Sequence, residues 1–302
     1  MAVKAGIVEV QKNPQAMTLA TAYVKYIEQS DGVLSPSTIA GYKRLSRNTF
    51  QRIMLTQLKN ISNEAIQREI QAMSRRGLSP KSISNAVGLL SAVLKTYAPD
   101  FRLDVNAPQK KKPDLRMLSD DEIQRLMEAS KGKEIELPIL FALWMGMRLS
   151  EIRGLKFKDF KNGRVHICRA VVDDESGTPQ EKGTKTYSGD RWIDVPEYVQ
   201  TLIPEGPPEE NVVKLSGQAI YKRFSRLLES AGIEHCRFHD LRRANAAIMT
   251  RQGIDSKYAQ ERNGWATDNM YKQVYGYVMA DKMQEASAKI DSYFDNKIGN
   301  EK

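Results

Sequence analysis

Residues 239–277 read HDLRRANAAIMTRQGIDSKYAQERNGWATDNMYKQVYGY, and the rest of the chain is interpreted around this stretch. His239 and Arg242 stand three apart, a spacing that puts both on one face of a helix. Trp265 follows an Asn-Gly turn, and tyrosines cluster at Tyr271, Tyr275 and Tyr277. An imidazole, a guanidinium and a phenol suit attack on a phosphodiester. The guanidinium clamps phosphate oxygens, the imidazole handles a proton and the phenol becomes the nucleophile. Taken alone, the His–Arg pair leaves a plainer reading ahead: two surface helices with ordinary core aromatics.

Two upstream motifs change that balance. Arg148 stands in GMRLSEIRGLKFKDF and Lys185 in KGTKTYSGDRWIDVP. With the first stretch they resemble the catalytic domain of the tyrosine recombinases, the phage integrase family. Its pattern is an arginine in G-x-R-x-S-E, a lysine on a β-hairpin, H-x-x-R, then His or Trp with a tyrosine ten residues later. Trp265 and Tyr275 are ten apart. The resemblance runs from about residue 17 to 277. It implies that Arg148 and Arg242 clamp the phosphate, that Lys185 protonates the departing 5′ oxygen, and that His239 assists proton transfer at the phenol. Tyr275 would end joined to the 3′ phosphate, with no metal, ATP or other cofactor required. Two positions depart from the commoner pattern: Arg243 stands where many relatives have histidine, and Trp265 replaces a second histidine. An indole donates one hydrogen bond but cannot shuttle a proton, so the second histidine's role is positional here or falls to His239.

The chain has 302 residues, a net charge of +9 and two cysteines. That length suggests two domains, each with its own core. No apolar run approaches the ~18 residues needed to span a bilayer, and no signal-peptide pattern opens the chain. Cys168 and Cys236 provide no disulfide framework, which fits a reducing cytoplasm, with the protein at the nucleoid. His235 and His239 have a spacing that zinc pairs use, but no third ligand is evident and no metal is expected. Residues 1–106 carry 14 Lys/Arg against 7 Asp/Glu, residues 107–116 carry 4 against 1, and the remainder carries 28 against 29. The positive excess thus sits in the first third and the linker, as expected for a clamp on double-stranded DNA.

In chain order, residues 1–16 read as a flexible lead-in. Residues 17–106 read as a helical bundle resembling the family's core-binding domain. Its helix starts include Thr18, Ser62 and the near copies LSPSTI (34–39) and LSPKSI (78–83), each a serine cap followed by proline. Lys43, Arg44, Arg47, Arg75, Arg76 and Lys81 are its candidate DNA contacts. Residues 107–116 form a basic linker in which Lys110, Lys111 and Lys112 would cross phosphates. Residues 117–277 form the catalytic domain, opened by a Ser119–Glu122 capping box. A buried helix over 137–147 would deliver Arg148 at its far end, and Gly146 would let DNA backbone approach. Glu151 would brace Arg148. Val165–Val172, Thr184–Thr186 and Trp192–Val195 read as a three-stranded antiparallel sheet. A helix over 215–232, capped by Ser216, carries Lys222 and Arg223 toward a major groove. Residues 278–302 read as an amphipathic helix, packed in its own domain or exchanged between protomers.

The expected fold class is mainly α with a small antiparallel β-sheet: an N-terminal core-binding bundle followed by a mixed α/β catalytic domain. The expected function is site-specific, integrase-like DNA recombination through a 3′-phosphotyrosine, by a homo-tetramer on paired sites. Accessory DNA-bending or directionality factors are possible partners. The alternatives are a chromosome- or plasmid-dimer resolvase, a type IB topoisomerase and a non-catalytic DNA-binding regulator.

Overall fold

The computed structural model describes residues 17–109, 116–183, 189–268, 271–272, 274–276, 287–288 and 290–295. The sequence-expected lead-in, Lys110–Lys112, Lys185 and Tyr277 lie outside the described residues. The chain divides into two compact units: residues 1–114 with 173–180, and residues 115–172 with 181–302.

The first unit is built from α1 (Leu19–Ser30), α2 (Pro36–Asn48), α3 (Asn63–Arg75) and α4 (Pro80–Tyr97). The hydroxyls of Thr18, Ser62 and Ser79 accept the backbone N–H three residues on, capping α1, α3 and α4. Ser35 precedes Pro36 at the start of α2 but makes no such backbone bond; its hydroxyl meets those of Ser37 and Thr38. The two prolines supply the backbone angle of a first helical turn, where no N–H partner is needed. Leu19, Tyr23, Ile66, Ile70, Met73, Ile83, Leu90 and Leu94 fill the centre of the bundle.

The second unit opens with α5 (Asp120–Ser130), where both halves of the Ser119–Glu122 capping box form. Next comes α6 (Glu136–Leu143), apolar on every side and therefore enclosed by its neighbours. It is shorter than the 137–147 helix that the sequence suggests. Trp144 closes it, and the Met147 N–H returns to the Phe141 carbonyl at 3.0 Å. Gly146, two residues beyond the cap, turns left-handed with φ +65°. Arg148 is consequently not the last residue of a long helix. It is the N-cap of α7 (Leu149–Gly154), with its own direction.

Five short strands follow: β1 (Phe160–Lys161), β2 (Arg164–Ile167), β3 (Arg169–Asp173), β4 (Pro179–Gly183) and β5 (Arg191–Asp194). They form two sheets rather than the single sheet expected. One is antiparallel in the order β1-β2-β5, and the other pairs β3 with β4. The run 165–172 therefore breaks at Cys168. Arg169 turns inward to an ion pair with Asp159, and Gly154 packs against the backbone of residues 169 and 170, which anchors β3 beside α7. In the first sheet Val165 faces Ile193 and Ile167 faces Arg191, with all four side chains buried.

The unit is completed by α8 (Glu197–Leu202), α9 (Gly217–Ser230), α10 (Phe238–Arg251) and α11 (Ser256–Asn263). Ser216 caps α9 as the sequence indicates, and Gly232 turns beyond it at φ +62°. Helix α10 packs on α6, and their side chains join those of α7, α9, β2 and β5 in one core. A smaller cluster of Met117, Ala246, Ala247, Met249, Ala259, Trp265 and Val274 lies at the other side of α10. No described helix is long and apolar enough to cross a membrane.

Gly146 has a tighter reason for being glycine than an approaching ligand. A Cβ there would collide with the carboxamide oxygens of Asn263 and Asn245, in a backbone conformation that side chains resist. Gly146→Ala should therefore lower stability by about 3 kcal/mol, combining left-handed strain with overpacking. Gly77→Ala is the control: φ is +80° but nothing lies within 4 Å of the added carbon. It should cost only about 1 kcal/mol. Urea denaturation of the two variants measures the difference.

Candidate active site

The site grows from the N-cap of α7. The Arg148 backbone N–H donates to Glu151 Oε2 at 2.9 Å, and its Nη1 donates to Glu151 Oε1 at 2.5 Å. Its Nη2 reaches the Gly264 carbonyl at 2.8 Å. One carboxylate thus satisfies a helix-end N–H and aims a guanidinium whose side chain remains 37% exposed. Arg242, one turn into α10, is buried, and its two terminal nitrogens donate to the carbonyls of Gly146 and Asn263. Its Nη1 stands 3.9 Å from Glu151 Oε2. Two helices distant in sequence, α7 and α10, therefore bring Arg148 and Arg242 together at Glu151.

A third guanidinium, from Arg191 at the start of β5, meets both oxygens of Glu151 at 3.3 and 3.1 Å. Three cations surround one buried anion. Burial is the largest influence on Glu151 and acts to raise its pKa, but Arg191 foremost, then Arg148 and Arg242, hold the carboxyl below its usual range. Arg242 is pushed the other way, below the ordinary guanidinium range, by burial first and then by Arg148. The cluster has more positive charge than its own carboxylate neutralises, the condition for receiving a phosphate.

His239 is half-buried on the first turn of α10. Burial first, then Arg242 and Arg243, push its pKa from 6.5 down to about 4. At neutral pH the ring is uncharged and has a free lone pair. Trp265 is buried beside Arg242, whose guanidinium lies 5.6 Å from the indole centroid. Its indole Nε1 has no hydrogen-bond partner among the described residues. Buried donors rarely stay unpaired, which sets this one apart. Residues 271–272 and 274–276 are helical, with Val274 fully buried and Tyr275 45% exposed. Tyr271 stacks on Tyr275 at 6.1 Å, and its hydroxyl approaches the Ile254 carbonyl at 3.4 Å.

Among the sequence-expected DNA contacts, Arg44, Arg75, Arg76, Lys81, Lys222 and Arg223 are exposed. Lys43 and Arg47 are ion-paired with Glu175, which groups with the first unit. Arg223 pairs with Glu134 at 2.9 Å. Sequence reading missed Arg191 and the Asn245–Asn263 pair. Asn263 donates to Asn245 Oδ1 at 3.3 Å, and Asn245 donates to the Trp144 carbonyl at 3.0 Å. The alternation in RWID was a usable signal, since it sets Arg191 on the same sheet face as apolar Ile193.

The profile of the phage integrase family matches residues 116–281, more than half of the chain. The chain belongs to that family, the tyrosine recombinases, enzymes that cleave and rejoin DNA. A tyrosine recombinase XerC-like protein of Caldanaerobacter subterraneus is 22% identical, over 86% of this chain and 78% of the relative. The integrase of Salmonella phage P22 is 26% identical over 65% of this chain and 52% of its own length. Among solved structures, the Tn1549 transposon integrase in complex with transposon right end DNA superposes with a TM-score of 0.72. It covers 89% of this chain and all of that one at 20% identity. A lambda integrase tetramer bound to a Holliday junction gives 0.64 at 17% identity, over 90% and 80% of the two chains.

The depressed His239 value predicts a pH effect without DNA. The unfolded chain takes a proton below pH 6.5, whereas the folded chain resists until about pH 4. This contribution is complete above pH 6.5 and is lost as pH falls toward 4, by at most about 3 kcal/mol. In His239→Gln, stability should fall less between pH 7 and pH 5 than in the unmodified chain, as measured by chemical denaturation at both pH values.

Proposed function

We propose that this chain is an integrase-like, site-specific recombinase that cuts each strand through a 3′-phosphotyrosine on Tyr275. The observation carrying this reading is the pair of guanidinia converging beside a buried indole N–H that has no partner among the described residues, with an exposed tyrosine in the helical residues that follow. Arg148 and Arg242 hold the non-bridging oxygens and stabilise the added charge of the transition state. The Trp265 N–H donates to one of those oxygens. The Tyr275 oxygen forms a bond to phosphorus as the bond to the 5′ oxygen breaks. The phenol proton passes to neutral His239, whose basicity rises when the negative phosphate enters among the cations. Lys185 gives a proton to the leaving 5′ oxygen. Attack by a 5′ hydroxyl from another strand reverses the step and joins the new partners.

The first unit with Lys43, Arg44, Arg47, Arg75, Arg76 and Lys81, the linker lysines Lys110–Lys112, and Lys222 and Arg223 on α9 would contact the duplex backbone. Assembly as a tetramer on paired sites draws support from the fold shared with the lambda integrase tetramer. The exposed apolar Ile290 and Phe294 of the C-terminal segment also favour it, because they suit a groove on a neighbouring protomer.

The test is covalent capture. The chain is incubated with a nicked duplex library of randomised sequence, and protein–DNA adducts are recovered, sequenced and mapped to a residue. Tyr275→Phe should abolish the adduct while leaving DNA affinity within about twofold, because only the nucleophile is removed. An adduct that persists in this variant, or is lost only in Tyr271→Phe, overturns the assignment. Retrieval of one defined sequence supports site-specific recombination, whereas indifferent sequences and relaxation of supercoils by a monomer indicate a topoisomerase.

The acid step has its own signature. Lys185→Ala should cleave ordinary DNA about 100-fold more slowly but recover when sulfur replaces the 5′ leaving oxygen, since a thiolate departs without a proton. Equal slowing on both substrates would assign Lys185 to phosphate positioning alone.

A further inference from the structure

Arg191 is the most enclosed cation at the site that the chemistry above does not use. It opens β5 on the inner face of the sheet, opposite Ile167, with 7% of its side chain exposed. Each of its three guanidinium nitrogens has a protein partner. Nε donates to the Arg262 carbonyl at 2.9 Å, Nη1 to the Gly189 carbonyl at 3.1 Å and to Glu151 Oε1 at 3.3 Å, and Nη2 to Glu151 Oε2 at 3.1 Å. Four of the five N–H donors are thus engaged and the side chain is enclosed, so Arg191 acts through its neighbours rather than on a phosphate.

Those neighbours are the two supports of the clamp. Glu151 aims Arg148 directly and stands beside Arg242. Arg262 precedes Asn263, whose carbonyl holds Arg242, and Gly264, whose carbonyl holds Arg148. Trp265 comes next. One planar fork thus ties a helix start, the α11 turn and the strand that leaves the 184–188 segment containing Lys185. A lysine would retain the charge but cannot span these acceptors, because a single nitrogen replaces a rigid fork.

We infer that Arg191 is a positioning residue for strand cleavage, fixing Glu151 and the 262–265 turn and through them the aim of Arg148 and Arg242. This rests on the recombinase reading above. Its effect should appear in the chemical step rather than in DNA binding.

The experiment uses the full chain and the duplex that it traps from the randomised library, with the cleavage position mapped. Arg191→Lys and Arg191→Gln are compared with the unmodified chain at a temperature where circular dichroism shows all three folded. Both variants should form the Tyr275 adduct about 100-fold more slowly, the scale of an ångström misplacement, with DNA affinity changed less than about twofold. On the same duplex carrying a methylphosphonate at the cleaved position, the defect should shrink at least about tenfold, because a phosphorus centre with less charge depends less on aimed guanidinia. A variant that reacts at the unmodified rate overturns the proposal. So does equal slowing on both DNAs, which is the outcome of a merely structural role. Absence of any adduct from the unmodified chain would instead overturn the recombinase reading, and this proposal with it.

Discussion

A single buried carboxylate, Glu151, surrounded by Arg148, Arg191 and Arg242, is the interaction on which the catalytic unit depends. Three guanidinia brought together without it would repel one another in a medium that screens poorly. With it, the cluster is held at short range and still has positive charge in excess. Glu151 also accepts the Arg148 backbone N–H, so the start of α7 and the aim of its arginine share one anchor. The pair of functions explains why a glutamate is buried here.

The charge excess shapes its surroundings. Burial first, and then the charge of Arg242 and Arg243, keep His239 uncharged at neutral pH. The excess also explains the use of carbonyl dipoles around Arg242: the oxygens of Gly146 and Asn263 stabilise a buried cation without cancelling its charge. A second carboxylate in their place would cancel part of the positive charge that a phosphate needs. The left-handed turn at Gly146 serves this arrangement by turning its carbonyl to Arg242, and the Asn245–Asn263 carboxamides leave no room for a side chain there.

Much of this was legible along the chain. Helix starts at Thr18, Ser62, Ser79, Ser119 and Ser216 were readable because a cap is a contact between residues three apart. The spacing of His239 and Arg242 on one helix, and the helical apolar faces of the first unit, follow from the same local periodicity. The motif around Arg148 indicated the family, and the match over residues 116–281 agrees with that reading. Reading failed where a neighbour distant in sequence decided the outcome. The expected 137–147 helix stops at Leu143, with left-handed Gly146 and residues 245 and 263 filling the space around it. The expected strand 165–172 breaks because Arg169 turns to Asp159 and packs beside Gly154.

The sequence by itself therefore determined the local pieces: caps, apolar faces, and the order of the chemically able residues. Only the tertiary structure decided which of them share a charge. Arg148 and Arg191 are 43 residues apart in the chain, Arg148 and Arg242 are 94 apart, and nothing in their spacing shows that they converge on Glu151. Coulomb interactions depend on distance through space and on the local dielectric. Both are properties of the packed core, and neither can be read from one segment of the chain.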